Sequence, residues 1–145
     1  MLEPLNNTIN NLYLLIILNI FFIIATYTDI RYMKIYNKFN LVMLITRIIT
    51  FFIWGFNIQY LIGGILIFVV FLSGAIVTKA KIGGDIKFGG NIGLWVGFMP
   101  SVFIILLTLI INLIFRKITK NTKPIALAPF LYVSFIIVSL ISYFL

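Results

Sequence analysis

The sequence predicts an all-α fold, a polytopic membrane helical bundle of about six transmembrane helices with the N-terminus and C-terminus both outside. Three observations carry that expectation. First, 63% of the 145 residues are hydrophobic and only 10% are charged, against about 25% charged in an ordinary soluble domain. A soluble domain of this size buries only about two-thirds of what its unfolded chain exposes, too little to hide so much apolar surface. Second, the charges divide the chain into long uncharged runs at 4–28, 48–78, 88–115 and 124–145. Third, the excess of Lys and Arg, 11 against three Asp and Glu, collects between those runs, as expected for loops on the cytoplasmic side of a membrane. The mean hydropathy of +1.20 excludes disorder by the same logic.

The first span is expected at about 11–28. It is not a cleavable signal peptide by pattern, because it opens with Glu3 rather than a basic region and no small-residue cleavage site follows. Three basic clusters come next: Arg31, Lys34 and Lys38; Lys79, Lys81 and Lys87; and Arg116, Lys117, Lys120 and Lys123. If all three share the cytoplasmic side, the chain must cross the bilayer an even number of times between one cluster and the next. Residues 39–78 then supply two spans, with a turn near Gly55, Asn57 and Gln59. Arg47 falls inside the first of these and must snorkel or face protein. The same parity asks for two crossings in 88–115, with the first helix short and starting near Gly83, and a turn between Gly97 and Pro100. A single crossing there is the alternative, and would leave the last basic cluster outside. Residues 124–145 form the last span. No internal repeat or soluble domain is visible, so 1–145 reads as one transmembrane domain.

Composition narrows the chemistry. The chain has no Cys and no His, which removes disulfides, thiol nucleophiles, imidazole bases and the usual zinc sites. No metal or other cofactor is expected. Nucleic acid is not an expected partner, since the basic residues lie between apolar runs rather than along one aromatic-and-basic surface. The bilayer is.

Three carboxylates remain: Glu3, Asp29 and Asp85. Glu3 suits a solvated tail. Asp29 closes the first apolar run and Asp85 opens the fourth helix, both at the cytoplasmic end by the topology above. A carboxylate at a membrane boundary is costly and marks a functional site by default. The structural alternative is that Asp29 is neutralised by Arg31 or Lys34 and that Asp85 pairs with Lys87 or caps its helix. Asp85 follows Gly83 and Gly84, which remove side chains where backbone or substrate must come close and permit local unwinding if the freed backbone lines a cavity. Gly89, Gly90 and Gly93 suit a small-residue packing face, and Gly63, Gly64 and Gly74 read as packing alone.

Two carboxylates held close together cannot both ionise comfortably, so one keeps a proton while the other stays charged. The charged one takes a proton from water as that water attacks a peptide carbonyl. The protonated one donates a hydrogen bond to the carbonyl oxygen and later delivers a proton to the leaving nitrogen. The alternative function for such a pair is a small proton- or cation-coupled membrane transporter; a third is an inactive structural subunit of a secretion machine.

At these residues the sequence resembles the type IV prepilin peptidase and preflagellin peptidase family of membrane aspartic proteases. Residues 29–37, DIRYMKIYN, resemble its block of an Asp, a basic stretch and Ile-Pro-Asn, with Tyr36 where the family has Pro. Residues 83–87, GGDIK, resemble its Gly-x-Gly-Asp-x-Lys block, with Ile82 where the first Gly is expected, and 93–97, GLWVG, continue it. Residues 123–131, KPIALAPFL, are similar to the opening of the family's last helix. The resemblance implies that Asp29 and Asp85 are catalytic, and that Gly83, Gly84 and Lys87 serve substrate binding or loop flexibility. It implies a cell-membrane endopeptidase removing short basic leaders from prepilin-like or preflagellin-like precursors of type IV pili or secretion systems, at the cytoplasmic face. Without cysteine, the chain lacks the methyltransferase-associated domain of larger members, and peptidase activity alone is expected. Its own basic surface suits a basic leader poorly, so anionic lipid and the ionised Asp are expected to supply the attraction.

Overall fold

The computed structural model describes residues 11–78, 83–120 and 125–144, and every regular element among them is an α-helix. In chain order these are α1 (Leu12–Tyr32), α2 (Asn37–Trp54), α3 (Ile58–Thr78), α4 (Gly83–Val96), α5 (Phe98–Thr119) and α6 (Ala128–Phe144). Glu3, Lys79, Lys81, Ile82, Lys123 and Pro124, singled out above, lie outside the described residues. The protein is a helical membrane bundle, as its composition requires. Helices α1, α2 and α5, together with Ile58–Val77 of α3, are each long and apolar enough to cross a bilayer.

Local signals set the helix ends. The Asn11 side chain caps α1 by accepting from the backbone N–H groups of Tyr13 at 3.2 Å and Leu14 at 3.4 Å, the expected role of Asn before a first turn. Met33 closes α1 in the left-handed conformation at φ 50°. The turn expected near Gly55, Asn57 and Gln59 forms: Gly55 has φ 89°, and Asn57 Oδ1 accepts from the Gln59 N–H at 2.9 Å. The turn expected between Gly97 and Pro100 is sharper than that. Gly97 alone makes it, at φ 86°, and Pro100 already lies in the first turn of α5, where its missing N–H has no helical partner to lose. The stretch 88–115 therefore contributes to two helices. The last helix starts at Ala128 rather than near 124, with Pro129 in its first turn for the same reason.

Helix α4 has only 14 residues, about 21 Å at 1.5 Å per residue, short of a ~30 Å hydrocarbon core. It is enclosed by its neighbours instead: Ile86, residues 88–93, Trp95 and Val96 are all buried. Its main partner is α3. A Cβ on Gly93 would collide with the Gly63 backbone, and one on Gly63 with the Gly93 and Gly97 carbonyls. The two helices thus meet backbone to backbone, which the missing side chains permit. Gly74 is different. A Cβ there would meet nothing within 4 Å among the described residues, so the close approach of α3 to α4 does not depend on it.

The interior is aromatic. Phe22 stacks on Phe135 at 4.9 Å and on Tyr132 at 5.1 Å and meets Phe88 edge-on at 5.7 Å, joining α1, α4 and α6. Polar contacts join helices as well: Tyr132 Oη donates to Asn19 Oδ1 at 3.0 Å, and Thr108 Oγ1 donates to Ser134 Oγ at 2.9 Å, joining α5 to α6. The outside is the reverse of a soluble protein, with Phe52 87% and Val77 83% exposed. Apolar surface on this scale is suited to lipid.

Arg47 faces protein. It is 2% exposed; Nε donates to the Leu94 carbonyl at 2.8 Å and Nη1 to Thr50 Oγ1 at 3.2 Å. The guanidinium lies 4.3 Å from the Phe51 and Tyr60 ring centres and 4.9 Å from that of Trp95. It sits near the Gly55 end of α2 and, with Asn11, Asn57 and Tyr60, lines a cavity of about 380 Å³.

Candidate active site

The opposite end of the bundle collects the carboxylates. Asp29 lies in the last turn of α1 and is 3% exposed. Its Oδ2 accepts from the Ala128 backbone N–H at 2.8 Å. Ala128 is the first residue of α6, so a carboxylate 99 positions away satisfies one of the N–H groups that a helix start leaves without an internal partner. The contact also fixes the end of α1 against the start of α6. The Phe115–Phe130 ring contact, at 5.3 Å, brings the end of α5 to the same place. Arg31, Arg116 and Lys117, in the last turns of α1 and α5, therefore share one end of the bundle, as the parity argument expects.

Asp85 lies in the first turn of α4. It is half-buried and lines a cleft of about 420 Å³ formed by the 32–37 segment and the start of α4, with Lys34, Gly83, Gly84 and Lys87 among the other walls. Asp29 is not part of that lining, but it is near enough for its charge to act on Asp85. The fold thus brings together two aspartates from different helices at one end of the bundle, one anchored in the interior and one facing a cleft.

The nearby cations have other contacts. The Lys87 ammonium donates to Asn37 Oδ1 at 2.9 Å. Arg31 donates to the Tyr27 hydroxyl and lies over the Tyr27 and Tyr32 rings, and Lys34 lies over Tyr36 at 5.5 Å. Neutralisation of Asp85 by Lys87, or of Asp29 by Arg31 or Lys34, is not what these side chains do.

The two glycines before Asp85 separate. Gly83 is exposed, and a Cβ there would meet nothing within 4 Å among the described residues. A Cβ on Gly84 would strike the Ile35 carbonyl oxygen, so Gly84 lets α4 start directly against the segment that follows Asp29. Two asparagines tighten that junction. Asn40 Nδ2 donates to the Gly84 carbonyl at 3.0 Å, and Asn91 Nδ2 donates to the Asn40 carbonyl at 2.9 Å. Neither asparagine was anticipated from sequence. The available signal was a lone amide in an otherwise apolar helical run, which in a membrane protein must find a partner. Ala128 was beyond reach, because any residue type supplies a backbone N–H.

Residues 16–116 match the type IV leader peptidase family. The matched region holds both aspartates, Gly83, Gly84 and Lys87, and stops before α6. Neither a curated protein nor a solved structure matches the chain. With more than two-thirds of its length inside the family match, the chain belongs to the type IV leader peptidase family.

Proposed function

We propose that this protein is an aspartic endopeptidase that removes the short basic leader from type IV prepilin-like or preflagellin-like precursors at the cytoplasmic face of the cell membrane, with Asp29 and Asp85 as its catalytic pair. The observation that carries the reading is the convergence of these two carboxylates, from α1 and α4, within electrostatic reach of each other beside a cleft. Family membership supports the peptidase part; the clustering of basic side chains at the aspartate end supports the cytoplasmic placement.

The chemistry then follows from one proton shared between two acids. The ionised carboxylate takes a proton from water as its oxygen attacks the scissile carbonyl carbon. The protonated one donates to the carbonyl oxygen, giving a neutral tetrahedral diol. On collapse, the first carboxyl passes the proton it took from water to the leaving nitrogen, the second takes a proton back from a diol hydroxyl, and the C–N bond breaks. Ala128 occupies Asp29 Oδ2, so Oδ1 is the oxygen assigned to the reaction. Gly83 lines the cleft without a side chain, which suits close approach of a precursor main chain.

The deciding experiment is cleavage of a panel of prepilin-like and preflagellin-like precursors by membranes containing the protein, with Asp29→Asn and Asp85→Asn alongside. Cleavage by the wild type and by neither variant is expected. Near-normal proteolysis by either variant would refute the two-carboxylate mechanism, and no cleavage of any precursor by the wild type would refute the substrate class.

A further inference from the structure

A second cavity adjoins the Asp85 cleft. It is a groove of about 560 Å³ between α2, α3 and α4. Most of its wall is apolar, including Leu44, Leu61 and Phe68, while Asn37, Asn40, Lys87 and Asn91 gather toward one end. Asn37 and Lys87 line both the groove and the cleft, so the two are joined at that pair.

Asn40 sits at this junction and is 4% exposed. The direction of its amide is determined by its partner. The Gly84 carbonyl oxygen can only accept, so the atom 3.0 Å from it is the NH₂ nitrogen. The other amide atom is then the oxygen. Oδ1 is buried and has no hydrogen-bond partner among the described residues. The backbone of Asn40 is held as well, by Asn91 on its carbonyl. A side chain braced on two sides therefore keeps one acceptor open, shielded from bulk water. A buried acceptor in this state is costly to maintain, and a donor delivered through the groove would relieve it.

From this geometry we infer that Asn40 Oδ1 is a substrate-binding acceptor, which takes a main-chain N–H of the precursor where the peptide passes between the Asp85 cleft and the apolar groove. The inference rests on the leader-peptidase reading. A main chain is the fitting ligand because any peptide entering an apolar groove must find acceptors for its N–H groups. A segment on the flank of a scissile bond cannot be fully helical, so it has such groups to offer. Asn40 would thereby align the chain relative to Asp85 through Gly84, the residue it already holds.

The test is an ester scan. A synthetic precursor peptide that the wild type cleaves is remade with single amide-to-ester replacements, each removing one N–H, across the residues flanking the scissile bond. Cleavage is measured in lipid nanodiscs for wild type, Asn40→Leu and Asn40→Asp. In wild type, one ester position is expected to raise KM roughly tenfold, the loss of one buried hydrogen bond, with kcat little changed. Asn40→Leu should show the raised KM on the all-amide peptide and no further rise on that ester. Asn40→Asp, which keeps an acceptor oxygen, should remain sensitive to it. If every ester acts equally on wild type and Asn40→Leu, or if Asn40→Leu lowers kcat with KM unchanged, Asn40 only positions Gly84 and the inference is overturned. If Asn40→Leu does not fold, loss of ester sensitivity in Asn40→Asp overturns it equally. Absence of cleavage by the wild type is a separate result, which removes the peptidase reading itself.

Discussion

The two ends of this bundle each bury charge, and they treat it in opposite ways. At the Gly55 end, Arg47 is enclosed by protein. Two of its nitrogens donate to Leu94 and Thr50. Nη2 has no hydrogen-bond acceptor among the described residues, and the faces of Phe51, Tyr60 and Trp95 surround the cation. At the other end Asp29 has one backbone partner and Asp85 faces a cleft. An embedded charge by itself therefore says little about function. What separates a brace from a reactive group is what surrounds it: three aromatic faces around Arg47, a second carboxylate and a cleft beside Asp85.

The sharpest way to break that contrast is to neutralise one charge at each end. Asp29→Asn and Asp85→Asn are each expected to reduce proteolysis by about a thousandfold, the scale of lost general acid–base catalysis. Their thermal unfolding should change little, because Asn at position 29 still offers Oδ1 to the Ala128 N–H. Arg47→Lys should do the opposite. A lysine keeps the charge but loses the planar fork and its stacking, so unfolding is expected to move down by about 1–2 kcal/mol while kcat of the folded enzyme stays as it was. A peptidase defect in Arg47→Lys at temperatures where it is folded would dissolve the distinction.

The next effect concerns the glycine pair. Gly84→Ala places a methyl group against the Ile35 carbonyl, which must push the start of α4 away from the 33–36 segment. Activity should drop by about a hundredfold, the scale of a ~1 Å displacement at a reacting centre. Gly83→Ala meets no atom within 4 Å among the described residues and should stay within about threefold, with a slight gain in stability from reduced chain freedom. Equal activities for the two variants, measured on one cleaved precursor, would show that the close approach of Ile35 does not position Asp85.

Much of this was legible from the residues, and what was not had physical reasons. Charge clusters and uncharged runs delimit the helices because lipid excludes charge, which is why α1 and α5 emerge close to expectation. Gly97 announced a break, but how abrupt a break depends on φ, and a glycine followed closely by a proline is compatible with a loop as well as with a helix start. Asp29 and Asp85 stood out because the chain has so few acids. Their surroundings did not. Lys87 follows Asp85 by two residues and reads as its ion partner, yet residues two apart on a helix do not face each other, and the ammonium turns to Asn37 on α2 instead. Gly74 looked like Gly63 in sequence, and only the packing of α3 on α4 distinguishes them.

The smallest effect expected is at that Lys87–Asn37 contact. Both side chains are exposed, so water competes for the bond and its contribution to stability is a fraction of 1 kcal/mol. Its effect on turnover should be larger than on stability, because it ties α2 to the first turn of α4 at the point where the cleft meets the groove. Lys87→Met and Asn37→Ala should each slow cleavage by about threefold to tenfold, and the double variant by no more than the worse of the two, since either change alone already breaks the tie. Multiplicative losses in the double variant would mean that Lys87 acts on the precursor directly rather than through Asn37, and would move it from the scaffold of the Asp85 end into its reactive part.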